Sequence, residues 1–386
     1  MPGRAARDEC AASTVGAERR ASADAIFKLL ACLLACLLAC LVSRLPPVSF
    51  YRYTRMADIF LYTAVTLLVA AAVIAVIDYA RDCSWITYAK PLRITGRVVV
   101  ITGAAGGLGR ELALQFAQRG AILALWDIRE EALVEVKDWL CGQGAASSAI
   151  HTRVVDVSDP ESVSNAAAEQ LQTLGPAHIV VSNAAIVTGQ RVLDAQPAQV
   201  TRAFGVNVLA HFWCARAFVP QMLQASPHAH ADAAGVFATI GSLMAELPAA
   251  RLADYCASKA AIVQLHECLR WELGGDRGEP RGEVRLLHVQ PYLLDTVLFA
   301  GGTPFRYAWM RRLVRPLKAA TVAHRTVRAI ESGSRERLVL PWMFKWLPTI
   351  LHCLHTGLRD AALVFAGAAC AMDGFVGRLP ADRKER

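Results

Sequence analysis

A doubly wound α/β fold around a parallel sheet of about seven strands is what the middle of this 386-residue chain predicts. Three observations carry that expectation. Short apolar, β-branched runs alternate with longer amphipathic stretches between residues 96 and 341. A glycine-rich turn joins the first such run to the helix that follows it, and a carboxylate ends the second. Strands that read as continuous apolar runs are buried on both faces, and helices between them supply the cover.

The elements follow in order. "GRVVVITGAAGGLGRELALQFAQRG" runs a strand, Val98 to Thr102, into a glycine turn and a helix ending near Gly120. That is the setting a dinucleotide-binding turn requires, with Gly103, Gly107 and Gly109 permitting a tight turn, close approach of a pyrophosphate and close helix packing. The helix N-terminus there presents free N–H groups to an anion. The next strand, "AILALWDI", ends in Asp127, eighteen residues after Gly109, where a carboxylate binds ribose hydroxyls and repels a 2′-phosphate. NAD(H) is therefore the expected cofactor and NADP(H) the alternative. Arg129 either softens that choice or serves only as a solvated charge opening the next helix. Beyond lie "TRVVDV" with Asp156, "AHIVVSNAAIV" with Asn183, a long helix containing Asn207, "GVFATIGS" ending in Ser242, a helix carrying Tyr255, and "GEVRLLHVQP".

Tyr255 and Lys259 stand four residues apart, on one face of a helix about a turn from each other. Taken alone this is a common surface pair. Beside a nucleotide site it becomes a proton-transfer pair: an ammonium favours the phenolate and lowers a tyrosine pKa from about 10. Ser242, at the C-terminal end of a strand, falls where ligands sit in such sheets and would bind the same substrate oxygen.

These motifs together resemble the classical short-chain dehydrogenase/reductase family over residues 96 to 341: Thr102-Gly103-x3-Gly107-x-Gly109, Asn183-Ala184-Ala185, Asn207, Ser242 and Tyr255-x3-Lys259. The resemblance implies that Tyr255 is the general acid/base and that Ser242 polarises the substrate oxygen. It implies that Lys259 lowers the tyrosine pKa and holds the nicotinamide ribose, and that Asn207 keeps a water in the relay. Leu108, Asp156, Val157, Asn183, Ala184, Pro291 and Thr296 would line the cofactor, Thr296 at the nicotinamide amide. The chain departs from the family pattern at Ser182 and Ala185, which replace an Asn and a Gly, and at Tyr292, which replaces a Gly after the sixth strand. Loss of a glycine free to take φ > 0 puts the course of that last loop in question.

The chain is over 100 residues longer than one such domain, and 54% of it is hydrophobic. Residues 1–55 read as a low-complexity extension, disordered over 1–24, with an apolar run from Leu29 to Val42 too short for a bilayer span. Cys32, Cys36 and Cys40 recur along one stripe of that run, either as acylation sites or as plain low-complexity helix. Residues 56–80 hold "ADIFLYTAVTLLVAAAVIAVI", of spanning length, and are expected to form a membrane anchor. Met56 is a candidate alternative start. Arginines and lysines flank the span on both sides and slightly favour a cytosolic catalytic domain. The eleven cysteines show no CxxC or Cys/His ligand spacing, so no metal is expected and the usage suits a reducing compartment. A net charge of +8 without a reading motif argues against nucleic acid and for an anionic lipid surface.

After the sixth strand, "LFAGGTPFRYAWMRRLVRPLK" interleaves aromatic groups with arginines, as an interfacial helix or a basic solvated one would. Residues 342–386 are expected to form an apolar helical tail that associates with membrane. His352 and His355 in that tail lack an evident third metal ligand. With the anchor and "LALWDI", the ending "CAMDGFVGR" is similar to the branch of membrane-bound retinol and 17β-hydroxysteroid dehydrogenases. The resemblance implies a lipophilic alcohol or carbonyl substrate, an endoplasmic-reticulum or lipid-droplet location, and pairing into a homo-oligomer through the helices bearing Asn207 and Tyr255. Two other readings compete: an NADPH-dependent reductase of a long-chain lipid ketone, and a non-catalytic membrane or lipid-droplet scaffold.

Overall fold

The computed structural model describes residues 91–224, 235–274, 284–302, 305–333 and 337–376. The chain divides into two units, 1–89 and 90–386. The first lies outside the described residues, and with it the expected extension and anchor. Among the described residues no helix is long and apolar enough to cross a membrane.

The second unit is built on seven parallel strands, β1 (Val98–Thr102), β2 (Ile122–Asp127), β3 (Ile150–Val154), β4 (Ile179–Ser182), β5 (Gly235–Ile240), β6 (Val284–Pro291) and β7 (Arg337–Leu340), in the order β3-β2-β1-β4-β5-β6-β7. All five residues of β1 are buried, because helices cover both faces of the sheet centre. On the edge, β3 exposes His151 and Thr152, as a strand with one open side does.

On one face lie α1 (Gly107–Ala117), α2 (Glu130–Gly142) and α8 (Ala319–Ser332). Leu112 and Phe116 of α1 are fully buried there with Val99 and Ile101 of β1, and each such side chain contributes roughly 1.5–3 kcal/mol. The opposite face carries α3 (Pro160–Leu174), α5 (Ala210–Gln224) and α6 (Ala253–Gly274), packed on Val100, Trp126, Val180 and Phe237. Between β4 and α5, α4 (Pro197–Phe204) runs into a π-helical turn, Gly205–Leu209. After β6 comes α7 (Ala308–Leu313), and after β7 come α9 (Leu347–Cys353) and α10 (Thr356–Ala366).

The order in which strands are added reverses between β1 and β4, which remain parallel. Their C-terminal ends open a crevice, the place where doubly wound sheets bind ligands.

Candidate active site

The crevice begins at the glycine turn. Gly103 sits at φ 62°, and a β-carbon there would lie 2.8 Å from Ala184 Cα. At Gly109 a β-carbon would overlap the carbonyl oxygen of Gly103, so α1 can start this close to β1 only without a side chain. Gly107 is covered by Thr296, whose methyl would be 2.9 Å from an added β-carbon, which brings the loop after β6 onto the turn. Leu108 is buried in the first turn of α1. Because backbone opposes backbone at Gly109, Gly109→Ala is expected to cost about 1–3 kcal/mol of stability and to weaken cofactor binding at least tenfold. A thermal melt alongside a cofactor titration checks this, and an unshifted titration would remove the turn from the binding site.

Hydrogen bonds lace the two strand ends. Thr102 Oγ1 accepts from the N–H groups of Asn183 (3.0 Å) and Ala184 (3.1 Å), while Asn183 Nδ2 donates to the carbonyls of Thr102 (2.9 Å) and Gly103 (3.2 Å). Asn183 thus acts first as a brace for the glycine turn. Ser182, where the family pattern has Asn, is buried against the Cys214 thiol.

Asp127, at the end of β2, accepts from the Ala105 N–H through Oδ2 (3.0 Å) and from Arg129 N and Nε through Oδ1 (both 3.2 Å). Arg129 is therefore neither free nor merely solvated: it pairs with the carboxylate that ends β2 and lines the crevice. Asp156 holds the following turn by accepting from Ser158 N (2.9 Å) and Ser158 Oγ (2.6 Å), and Val157 lines the crevice beside it. Glycines that leave no room for a β-carbon, a helix N-terminus and a carboxylate ending β2 fit a nicotinamide dinucleotide, which these residues would hold.

Across the crevice, Ser242 follows β5, and its Oγ accepts from the Met244 N–H at 3.1 Å. Tyr255, in the first turns of α6, is 4% exposed and hydrogen-bonds Ser242. Its ring meets Phe299 edge to face at 5.5 Å. Lys259, 1% exposed, donates from Nζ to the Ile240 carbonyl at 3.0 Å, and its Nζ is 5.6 Å from the centre of the tyrosine ring. The three side chains that the spacing singled out converge.

Their electrostatics differ from the expectation. Burial raises the Tyr255 phenol above its ordinary range, opposed by the Ser242 hydrogen bond, and burial pulls Lys259 down to about 7. Desolvation penalises both charged forms and is the largest influence on each. Three buried histidines, His211 on α5, His266 on α6 and His288 on β6, interact with one another, and His211 and His288 also with Lys259. Burial, then Lys259 and His266, lowers His211 to about 3, and burial, then His266, Arg337, His211 and Lys259, lowers His288. Nothing in the spacing of these histidines announced them, since each comes from a different element.

Asn207 is fully buried in the π-helical turn. Its Oδ1 accepts from Ile186 N (2.8 Å), and its Nδ2 donates to Ile186 O (3.0 Å) and Ser258 Oγ (3.1 Å). The side chain clamps the loop after β4 to α6, so any water it keeps would have to be held by its main chain. Pro291 ends β6, and Tyr292 follows with its N–H on Leu340 O (2.7 Å) and its ring on Phe344 and Phe305. The loop needs no left-handed residue there: among the described non-glycine residues only Arg251 has positive φ.

The glycine turn, Asp127, Asn183, Ser242, Tyr255, Lys259 and Thr296 border one predominantly apolar cavity of about 690 Å³, while Asn207 and the buried histidines stand behind its lining. Its far wall comes from the tail, through Phe344, Leu347, Leu351, Leu363, Ala366 and Met372. Sequence reasoning placed the tail outward only, because apolar spacing does not say which surface a helix covers. His352 and His355 are spent locally, on Pro348 O and Gly357 N. Among the described residues no three His, Cys, Asp or Glu side chains gather to hold a metal.

The family model described as "short chain dehydrogenase" matches residues 97–304, a span that contains the turn, the brace and the Ser-Tyr-Lys set. The chain belongs to the short-chain dehydrogenase family. Among similar proteins are bovine (Bos taurus) "Short-chain dehydrogenase/reductase family 16C member 6", 38% identical over 212 residues, covering 55% of this chain and 63% of that one. Another is zebrafish (Danio rerio) "Retinol dehydrogenase 10-A", 32% identical over 241 residues, covering 56% of this chain and 67% of that one. The chain thus spans just under two thirds of the first of these relatives. A solved family member from Burkholderia phymatum in complex with NAD is 27% identical with a TM-score of 0.56, covering 68% of this chain and 94% of that one.

Proposed function

We propose that this short-chain dehydrogenase is a membrane-associated oxidoreductase that moves a hydride between NAD(H) and a lipophilic alcohol or carbonyl, with retinoid or sterol-like hydroxyls as the leading substrates. The observation that carries the proposal is the convergence of Ser242, Tyr255 and Lys259 with the glycine turn on one apolar cavity. Retinol dehydrogenase relatives support the substrate class. The bound nicotinamide would supply the hydride chemistry. The chain supplies position and the proton: Ser242 hydrogen-bonds the substrate oxygen, Tyr255 gives it a proton in reduction or takes one in oxidation, and Lys259 lies against the tyrosine ring to balance the charge that develops.

The membrane part of the reading rests on surface chemistry. Trp309 and Leu313 of α7 are exposed among Arg311, Arg312 and Arg315, and Ile350, Leu358, Val364 and Phe365 are exposed on α9 and α10. Tyr307, at the start of α7, meets Phe365 of α10 with ring centres 5.1 Å apart and the rings tilted by 43°, and the exposed apolar side chains of these elements, with arginines beside them, suit an anionic lipid surface of the endoplasmic reticulum or a lipid droplet. The exposed Phe212 of α5 and Trp271 of α6 suit pairing into a homo-oligomer, and the charges flanking residues 56–80 favour a catalytic unit on the cytosolic side.

Two experiments test the reading. Membranes carrying the full chain are expected to turn over members of a panel of retinoid, steroid and long-chain alcohols with NAD⁺; silence across the panel, in both directions, would leave the scaffold reading. Asp127→Ala is expected to weaken NAD⁺ by about 10–100-fold, the worth of a charge-assisted hydrogen bond, and to free Arg129 for a 2′-phosphate. The ratio of kcat/KM for NAD⁺ and NADP⁺ reports it. A wild type that already prefers NADP⁺ would favour the lipid-ketone reductase.

A further inference from the structure

The substrate cavity is completed by a segment far outside the family domain. The family match ends at residue 304, yet residues 367–376 return to the site and touch the loops after β4, before α6 and after β6. Phe375 lies over Gly189, where a β-carbon would enter its ring. The Ala250 N–H donates to Ala368 O at 3.0 Å, and Arg251 Nε meets Asp373 Oδ1 at 3.6 Å. The Val376 N–H donates to Ala300 O at 2.9 Å, and Gly301 and Gly374 face each other so closely that a β-carbon on either would strike the other's carbonyl oxygen.

This arrangement drives Met372 inward. It is 3% exposed and forms one apolar cluster with Leu252 and Tyr255, with Phe299 packed beside them. Arg251, at φ 64°, adopts a backbone conformation that is uncommon for a non-glycine residue and persists only where surroundings enforce it. The residue so held is the one that reaches Asp373.

We propose that this segment is a fixed wall of the substrate site, that Met372 limits bulk at the reacting carbon beside Tyr255, and that Arg251 and Asp373 position it. The inference rests on the oxidoreductase reading and narrows its substrate class. Apolar side chains crowding the tyrosine admit a hydroxyl carried on a slim primary chain more readily than one set in a ring. Met372 is a thioether that adapts its shape, so the discrimination is by volume and not by a polar contact.

The test uses the full chain in membranes and compares dodecan-1-ol with a 3-hydroxysteroid. Met372→Ala is expected to shift the kcat/KM ratio at least tenfold toward the ring alcohol, the range a few methylenes in an apolar pocket supply, and Met372→Trp to shift it the other way. Asp373→Asn is expected to raise KM for dodecan-1-ol several-fold with kcat little changed. A ratio moved less than threefold by both Met372 variants, each shown to be folded by its melting curve, overturns the wall. A fall in kcat at constant KM overturns the positioning role. If the wild type turns over no alcohol, the oxidoreductase reading fails separately, and binding of 11-(dansylamino)undecanoic acid replaces turnover. Affinity lowered several-fold by Met372→Trp keeps the wall, and unchanged affinity removes it.

Discussion

Tyr255→Phe is expected to lower turnover of every accepted alcohol by about 10²–10⁴-fold, the range that a positioned proton donor or acceptor supplies. Phenylalanine keeps the ring that packs edge to face on Phe299 and loses only the hydroxyl shared with Ser242. Structure and cofactor affinity should therefore change far less than the rate, which a melting curve and a nicotinamide fluorescence titration would show. The wild-type pH profile carries the same signature. Burial raises the phenol above its ordinary range, so Tyr255 is protonated at neutral pH and ready to act as an acid. Carbonyl reduction should hold its rate around neutrality, while alcohol oxidation, which needs the phenolate, should climb as pH rises into the alkaline range. A Tyr255→Phe variant within tenfold of wild type would sink the assignment and move the weight to a scaffold role.

Lys259→Met is expected to produce a more stable and inactive protein. Burial holds Lys259 down to about 7, against about 10.4 for a free lysine. Below the folded value both states carry the proton, and the penalty for a buried charge is fully present. As pH rises from about 7 towards 10.4, the unfolded chain still binds a proton that the folded one has released, and the penalty fades. Methionine removes it, so at pH 6 the variant should gain on the order of 4–5 kcal/mol, less about 1 kcal/mol for the hydrogen bond to Ile240 O. The gain should shrink by pH 10. Denaturant unfolding at both pH values measures it, and a variant less stable than wild type at pH 6 would show that Lys259 is stabilised by more than its one carbonyl. Such an exchange of stability for activity is common at catalytic groups.

The central sheet was legible because buried parallel strands leave continuous apolar runs, and "VVVIT", "ILALWD" and "IVVS" stand as β1, β2 and β4. The glycine turn was legible from the same local logic. Tyr255 and Lys259 share a helix, so their spacing alone set their relation. Ser242 came from its place at a strand end. What local pattern could not carry was anything set by long-range return of the chain. Met372 stands beside Tyr255 only because the tail folds back, and an apolar tail reads the same whether it meets lipid or a cavity. Nor could spacing say that desolvation would dominate both Tyr255 and Lys259, since that depends on how completely each is covered. Tyr292 was a flagged departure that the fold absorbs by placing its ring among Phe305 and Phe344.

The π-helical turn at Gly205–Leu209 has a consequence for how this helix can change over time. One residue more than an α-turn needs is held there, so the positions before and after it are out of phase by about 100°, one residue's rotation. Asn207 can face Ile186 and Ser258 while Cys214 and Phe218, further along, face the sheet. A one-residue deletion here would restore a regular helix and rotate one half against the other. It would be the rare lesion that improves local geometry while turning either the clamp or the core-facing stripe away from its partners. Substitutions can drift along this helix; its length cannot.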